Sequence, residues 1–289
     1  MMKVEFEAIV MTNKKLAVGT FGAGFLSGYL LHHLLHPPVA PLPFRKLPAE
    51  YHYSQVPTLF FHGSGGGRRS LRPMLTTMQD DGAAEHTLTI AVDPFGGLHF
   101  KGKWPAEAVN PTIQVLFQLT FPFSLHQEAH WIAAILRALQ QRYDVTTYNA
   151  VGHSLGAEAL LYVLLDPNEH RMPHAQKTVF IAGPFDDALH SEDQLTADGM
   201  PLKQDAHFKW FDAHKANFSK QTDVLNIYGN VQQLHSDKTV PNGSSQALAY
   251  LVAGQAHTYQ EREFTMNALH TQLLSNPAVI QTISDYLWK

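Results

Sequence analysis

Ser154 lies in Tyr148-Asn-Ala-Val-Gly-His-Ser-Leu-Gly-Ala157, where Gly152, Ser154 and Gly156 form a G-x-S-x-G spacing. That spacing suits a strand that turns sharply into a helix with a serine at the tip. The serine then projects its Oγ clear of the sheet, and the glycines two residues to either side leave room for the turn. A helix opening just after it turns a positive dipole end toward charge that develops near the oxygen. With Gly and Ser each near 7%, the spacing arises by chance about 0.1 times in a chain of this length. Its surroundings therefore decide the matter: an apolar run precedes it and another follows. The chemistry of such a serine is nucleophilic attack on an acyl carbon; the plain alternative is a turn serine with no reaction to perform.

Acyl transfer needs two backbone N–H groups aimed at the oxyanion. Leu155, directly after Ser154, supplies one in this reading. The other is expected from Pro57-Thr-Leu-Phe-Phe-His-Gly-Ser-Gly-Gly-Gly67, a strand running into a glycine-rich loop. Ser64 is the first choice there and Gly65 the rival. The loop lacks the Lys-Ser/Thr ending of a phosphate-binding loop, for which Arg68 and Arg69 are weak substitutes.

A serine nucleophile also needs a base and an acid that orients it, in the chain order Ser, acid, His for this kind of turn. Asp237 lies on the segment leaving the strand-like run Val224–Tyr228, where it can hold an imidazole in the right tautomer. Asp223 precedes that run and so belongs to the wrong end of a sheet. Asp237 as an ordinary turn former is the competing role. Of eighteen histidines, only His257 and His270 follow Asp237. His257 sits at the start of the last strand candidate, again the wrong end. His270 follows that strand and is the expected base.

Other histidines take plainer readings. His126 and His130 stand four apart on a helical pattern with Glu128 between them, a spacing that can hold a metal, but no third ligand is evident and H-E-x-x-H is absent. His153 is expected to buttress its strand. No metal or organic cofactor is called for.

These residues need a scaffold that brings three distant segments to one edge. The strand candidates are Thr58–Phe61, Leu88–Val92, Tyr148–Gly152, Thr178–Ala182, Val224–Tyr228 and Thr258–Phe264, mostly short, apolar and bounded by Gly, Pro or Asp. Between them lie helical patterns. In Gln127–Tyr143, Trp131, Ile132, Ile135, Leu136 and Leu139 recur at helical spacing. Leu155–Leu165 is apolar nearly all round. Asn276 followed by Pro277 caps a last helix reaching Trp288. Such alternation predicts an α/β fold with a mainly parallel sheet covered on both faces. Two stretches fit no strand–helix unit and read as lid-like insertions: Pro94–Leu125, with Ile113, Val115, Phe117, Leu119, Phe121 and Phe123 at period two, and the polar Phe185–Thr222. The period-two residues suit core or the wall of an acyl pocket equally.

The N-terminal stretch has a different character. Leu16–Leu35 holds no Asp, Glu, Lys or Arg, and its twenty residues span about 30 Å as a helix, the thickness of a bilayer core. Lys14 and Lys15 precede it, which predicts a cytoplasmic N-terminus and an extracytoplasmic body. The site near Ala40 is poor for cleavage, with Pro38 before it and Pro41 directly after. An uncleaved signal anchor is therefore favoured over a signal peptide, and an apolar helix packed on a soluble domain is the bland alternative. The expected organisation is residues 1–36 as anchor or signal, 37–50 as a proline-rich linker, and 51–289 as the catalytic domain.

Composition narrows the classes further. The chain has 289 residues, 45% apolar and 16% charged, with a formal charge of −4 and no cysteine. Disulfides, thiolate metal sites and a cysteine nucleophile are excluded. The charge argues against a nucleic-acid partner held through phosphates.

The segments FFHGSGGG at 60–67, NPTIQVLF at 110–117, HWIAAILRAL leading to YNAVGHSLG, VFIAGPF at 179–185, VLNIYGN at 224–230, SDKTVPNGSS at 236–245 and ALHTQLLSNPAV at 268–279 resemble the α/β-hydrolase superfamily. More narrowly, they resemble a family of predicted cell-surface α/β hydrolases of Gram-positive bacteria, long classed as a domain of unknown function. The resemblance covers nearly everything after residue 50. It implies Ser154 as nucleophile, Asp237 as acid, His270 as base and an N-terminal export or anchor segment. It departs at Glu158, where a small residue is frequent, and at Lys238, where glycine is common; both changes put the mouth of the site in question.

The expected function is cleavage of a carboxylic ester or related acyl bond on a small substrate, with the apolar period-two residues hinting at an acyl or aromatic group, through an acyl-enzyme, outside the cytoplasm, with the membrane contacted through the N-terminal segment. An acyltransferase on the same scaffold, or a surface binding protein without catalysis, are the alternatives.

Overall fold

The computed structural model describes residues 47–104, 107–119, 125–167, 171–186 and 195–289. The expected anchor at 1–36 and most of the linker lie outside them. Among the described residues, no helix is long and apolar enough to cross a membrane.

Eight strands form one sheet: β1 (Thr58–Phe61), β2 (Glu85–Val92), β3 (Leu98–Gly102), β4 (Pro111–Phe117), β5 (Thr147–His153), β6 (His174–Ile181), β7 (Asp223–Gly229) and β8 (Thr258–Phe264). Their order is β3-β2-β4-β1-β5-β6-β7-β8, and every pairing is parallel except β2 with β3. The helices are α1 (Arg68–Asp80), α2 (Leu125–Tyr143), α3 (Leu155–Leu164), α4 (Ala206–His214), α5 (Asn242–Leu248) and α6 (Pro277–Trp288). This is the α/β-hydrolase fold.

Alternation along each strand sends residues to two cores, as the pleat requires. Leu59 and Phe61 of β1 join α2, α3, α4 and α5 on one face. Phe60 joins α1 and α6 on the other. Helices on both faces explain why the inner strands read as near-continuous apolar runs.

All six strand candidates are strands of this sheet. The stretch Pro94–Leu125 is not the insertion its pattern suggested, because it contributes both β3 and β4. Pro111–Phe117 is buried at all seven positions and lies between β2 and β1. Its period-two pattern arises because Thr112 and Gln114 alternate with Ile113 and Val115, yet these polar side chains are buried too. Gln114 donates through Nε2 to the Arg68 carbonyl at 3.0 Å. Ile113, Val115 and Phe117 are core residues; positions 120–124 lie outside the described residues. The polar stretch Phe185–Thr222 carries α4, capped by Asp205, whose side chain accepts from the Phe208 N–H. Asn276 caps α6 as expected, accepting from the Ala278 N–H.

Candidate active site

Parallel strands end at one edge, so the loops after β1, β5, β7 and β8 gather there. Because β1 and β5 are neighbours, the glycine-rich loop lies beside the turn that carries Ser154. That turn is strained: Ser154 has φ 55° and ψ −128°, a conformation that costs of order 1–3 kcal/mol and persists only where packing enforces it. The Ser154 N–H donates to the Ile181 carbonyl at 2.9 Å, and the Ser154 carbonyl accepts from the Ala157 and Glu158 N–H groups at 2.9 and 3.1 Å. A Cβ at Gly152 would lie 2.7 Å from Ala157 Cα, and one at Gly156 would lie 2.5 Å from the His62 carbonyl oxygen. Both glycines are thus required by close approach, as the motif implied. Gly63 faces the same limit from the other side, since a Cβ there would lie 2.5 Å from Ser154 Cβ and 3.1 Å from its Oγ.

His62 sets the loop that contains Gly63. Its Nδ1–H donates to the Gly63 carbonyl at 2.9 Å, and its Nε2 accepts from the Phe117 N–H at 3.1 Å. An accepting Nε2 means a neutral ring, and burial pushes the imidazole pKa down to about 4. The Gly63 carbonyl also accepts from the Gly66 N–H at 3.0 Å, while the Gly67 N–H donates to Ser70 Oγ. The Ser64 N–H has no acceptor among the described residues. The Leu155 N–H is the first of α3 and so has no acceptor within the helix.

Asp237 and His270 meet across the loops after β7 and β8. The His270 Nδ1–H donates to Asp237 Oδ2 at 2.6 Å, and the His270 main-chain N–H donates to the Asp237 carbonyl at 3.1 Å. Asp237 Oδ1 accepts from the Thr239 and Val240 N–H groups at 2.8 and 2.7 Å. The Asp237 side chain is 2% exposed, so its charge is met by donors on both oxygens, as a buried carboxylate requires. With Nδ1 occupied, Nε2 is the free basic nitrogen of His270. Ser154, His270 and Ser64 line one cavity of about 350 Å³.

The rejected residues sit where the sheet direction puts them. His257 donates through Nδ1 to Asp223 Oδ1 at 2.8 Å, at the opposite edge of the sheet from Ser154. His153 does more than support its strand: its Nε2–H donates to the His270 carbonyl at 3.0 Å. Burial foremost, then the neighbouring His270, hold its pKa down to about 3, so it is a fixed neutral donor.

His126 and His130 do not gather a third ligand. Both are exposed, His126 packs against the rings of Tyr162 and His207, and among the described residues no group of three or more His, Asp or Glu side chains could hold a metal. Glu128, between them, is buried with no hydrogen-bond partner on either oxygen. Burial, reinforced by Glu158, pushes its pKa up to about 8. Glu158 is buried and is not among the cavity-lining residues; it accepts from the His207 Nδ1–H at 2.9 Å. Burial raises its pKa despite that contact. Lys238 is exposed with φ 71°, in the left-handed region that favours glycine.

Sequence reasoning named Ser154, Asp237, His270, Ser64 and Leu155, and the structure brings them to one edge. It did not find the linking roles of His62 and His153, which depend on contacts with Phe117 and His270 far along the chain. His62-Gly63 at the end of a strand was the one local signal.

The strained serine turn at the carboxyl edge of a mostly parallel sheet defines an α/β hydrolase. Residues 46–289 match the family described as alpha/beta hydrolase of unknown function, DUF915, and the chain belongs to it. No curated protein matches the sequence. Among solved structures, the lin2722 gene product of Listeria innocua is 28% identical, with a TM-score of 0.74 over 81% of this chain and 94% of its own. A Lactobacillus plantarum protein proposed to be a cell surface hydrolase is 21% identical, with a TM-score of 0.69 over 80% and 91%. The Pyrococcus furiosus esterase Pf2001, at 13% identity and a TM-score of 0.51 over 81% and 83%, shares the fold.

Proposed function

We propose that the protein is a serine hydrolase that cleaves carboxylic esters through an acyl-enzyme. The observation that carries this reading is the 2.6 Å bond from His270 to buried Asp237, with His270 and Ser154 lining one cavity. His270 Nε2 takes the proton of Ser154 Oγ as the oxygen attacks the acyl carbon. The Leu155 and Ser64 N–H groups receive the oxyanion, each worth about 10²–10³ in rate. Collapse breaks the bond to the leaving alkoxide, which His270 protonates, and leaves Ser154 acylated. Water, deprotonated by His270, then releases the acid. Asp237 holds the imidazole with Nδ1–H toward itself and stabilises the charged ring that forms.

In the same proposal, residues 1–36 anchor the chain, 37–50 link it, and the catalytic domain works outside the cytoplasm. The description of the Lactobacillus plantarum protein agrees with that location.

A fluorophosphonate probe tests the nucleophile. Wild type should label and turn over a panel of 4-nitrophenyl esters, and Ser154→Ala should do neither. Folded wild type that neither labels nor hydrolyses would favour a binding role. Ester products formed in the presence of added alcohols would mark acyl transfer.

A further inference from the structure

Part of the cavity lining comes from the β1–α1 loop and the first turns of α1, through Ser64, Arg69 and Pro73. Among the described residues that line the cavity, Arg69 alone carries a permanent charge and none is Asp or Glu. Asp237 lies behind the imidazole and is already engaged. Arg69 is exposed, and among the described residues it has neither an ion pair nor a hydrogen bond.

Its neighbours deepen the anomaly. Arg68, Arg69 and Arg72 crowd the start of α1, and the first turn holds no acid. A helix start favours acids and is destabilised by cations. Nε and Nη1 of Arg68 are buried without a partner. Positive charge is thus concentrated beside the cavity, and among the described residues no acidic side chain pairs with it. A local conflict without internal compensation is the mark of a functional constraint.

We propose that Arg69 determines specificity by binding an anionic oxygen group, carboxylate or phosphate, on the substrate, so that the preferred ester is an anion. The inference rests on the hydrolase reading of Ser154 and names the substrate class. Guanidinium suits this task because its planar fork meets both oxygens of such a group. A charge next to the mouth is also screened by salt, since it is not buried.

The experiment compares kcat/KM on matched ester pairs. 4-Nitrophenyl hemisuccinate against 4-nitrophenyl methyl succinate places the charge on the acyl side. 4-Acetoxyphenyl phosphate against phenyl acetate places a phosphate on the leaving group. Wild type should prefer the anionic member of at least one pair, and the pair that responds identifies the side on which the charge is held. In Arg69→Gln the anionic-to-neutral ratio for that pair should fall tenfold or more, chiefly through KM, and Arg69→Lys should restore part of it. Raising salt should erode the wild-type ratio and leave the Arg69→Gln ratio flat. A ratio in Arg69→Gln within twofold of wild type, or no wild-type preference in either pair, overturns the proposal. Labelling of Ser154 by fluorophosphonate separates the two failures. Labelled enzyme without charge preference sinks only the role of Arg69, and unlabelled protein that cleaves no ester sinks both.

Discussion

The rings of His153 and His270 lie 4.6 Å apart, and the side chain of the first donates to the main-chain carbonyl of the second at 3.0 Å. The residue beside the proposed nucleophile therefore holds the loop of the proposed base. His270 is tied from two directions, by Asp237 at its ring and by His153 at its backbone. This coupling lets a loop beyond β8 keep register with a turn beyond β5.

His153→Phe removes the donor and keeps an aromatic ring in place. A buried hydrogen bond lost to an unsatisfied carbonyl costs about 1–3 kcal/mol. If it is felt in the transition state, kcat/KM should drop by about ten- to a hundredfold. His153→Gln, which keeps an N–H donor, should recover most of the loss. Steady-state kinetics on a neutral ester, with circular dichroism to confirm folding, check both.

Asp237→Asn retains the shape but presents an N–H where His270 needs an acceptor. The imidazole then favours the wrong tautomer, and kcat should fall by about 10⁴. Full activity in this variant would remove Asp237 from the mechanism.

Glu128 carries a pH signature. Its folded-state pKa is raised to about 8 from an ordinary 4.5, so the folded chain keeps a proton that the unfolded chain has lost. The folded state binds more protons between those limits, and stability declines as pH rises through them, by up to about 1.4 kcal/mol per pH unit from this group. The groups facing it through Glu158 are His207 and Asp205. Thermal melts of Glu128→Gln should fall less steeply than wild type between pH 5 and pH 8. Parallel curves would show that Glu128 is ionised in the fold.

Lys238, at φ 71°, carries a Cβ in a region that costs such residues about 1–2 kcal/mol without a compensating contact. Glycine escapes that cost but loses more entropy on folding. Lys238→Gly should be neutral to stabilising by up to about 1 kcal/mol in denaturant titrations.

The strands β1, β2, β5, β6 and β7 were readable because each contains a short apolar run next to turn or polar residues, and β8, Thr-Tyr-Gln-Glu-Arg-Glu-Phe, was placed by its position before the last helix although most of it is polar. The serine turn was readable because sterics at Gly152 and Gly156 leave few other residues possible. β4 was misread since its buried Thr112 and Gln114 mimic the solvent face of an alternating strand. β3, an edge strand with the pattern Leu-His-Phe-Lys-Gly and three of its five residues exposed, carries too little apolar signal to be seen. The Asp237–His270 pair followed from chain order and strand direction, which a sequence displays. His62, His153 and Glu128 acquire their roles from partners on other elements, and no local pattern records such contacts.

The central claim is that Ser154 becomes acylated during turnover. Wild type mixed with a 4-nitrophenyl ester, acid-quenched within the first turnovers and digested, should yield the acyl mass on the peptide that contains Ser154, and Ser154→Ala should yield none. Sustained hydrolysis by the Ser154→Ala variant, or an acyl group trapped on a different residue of the wild type, would contradict the account.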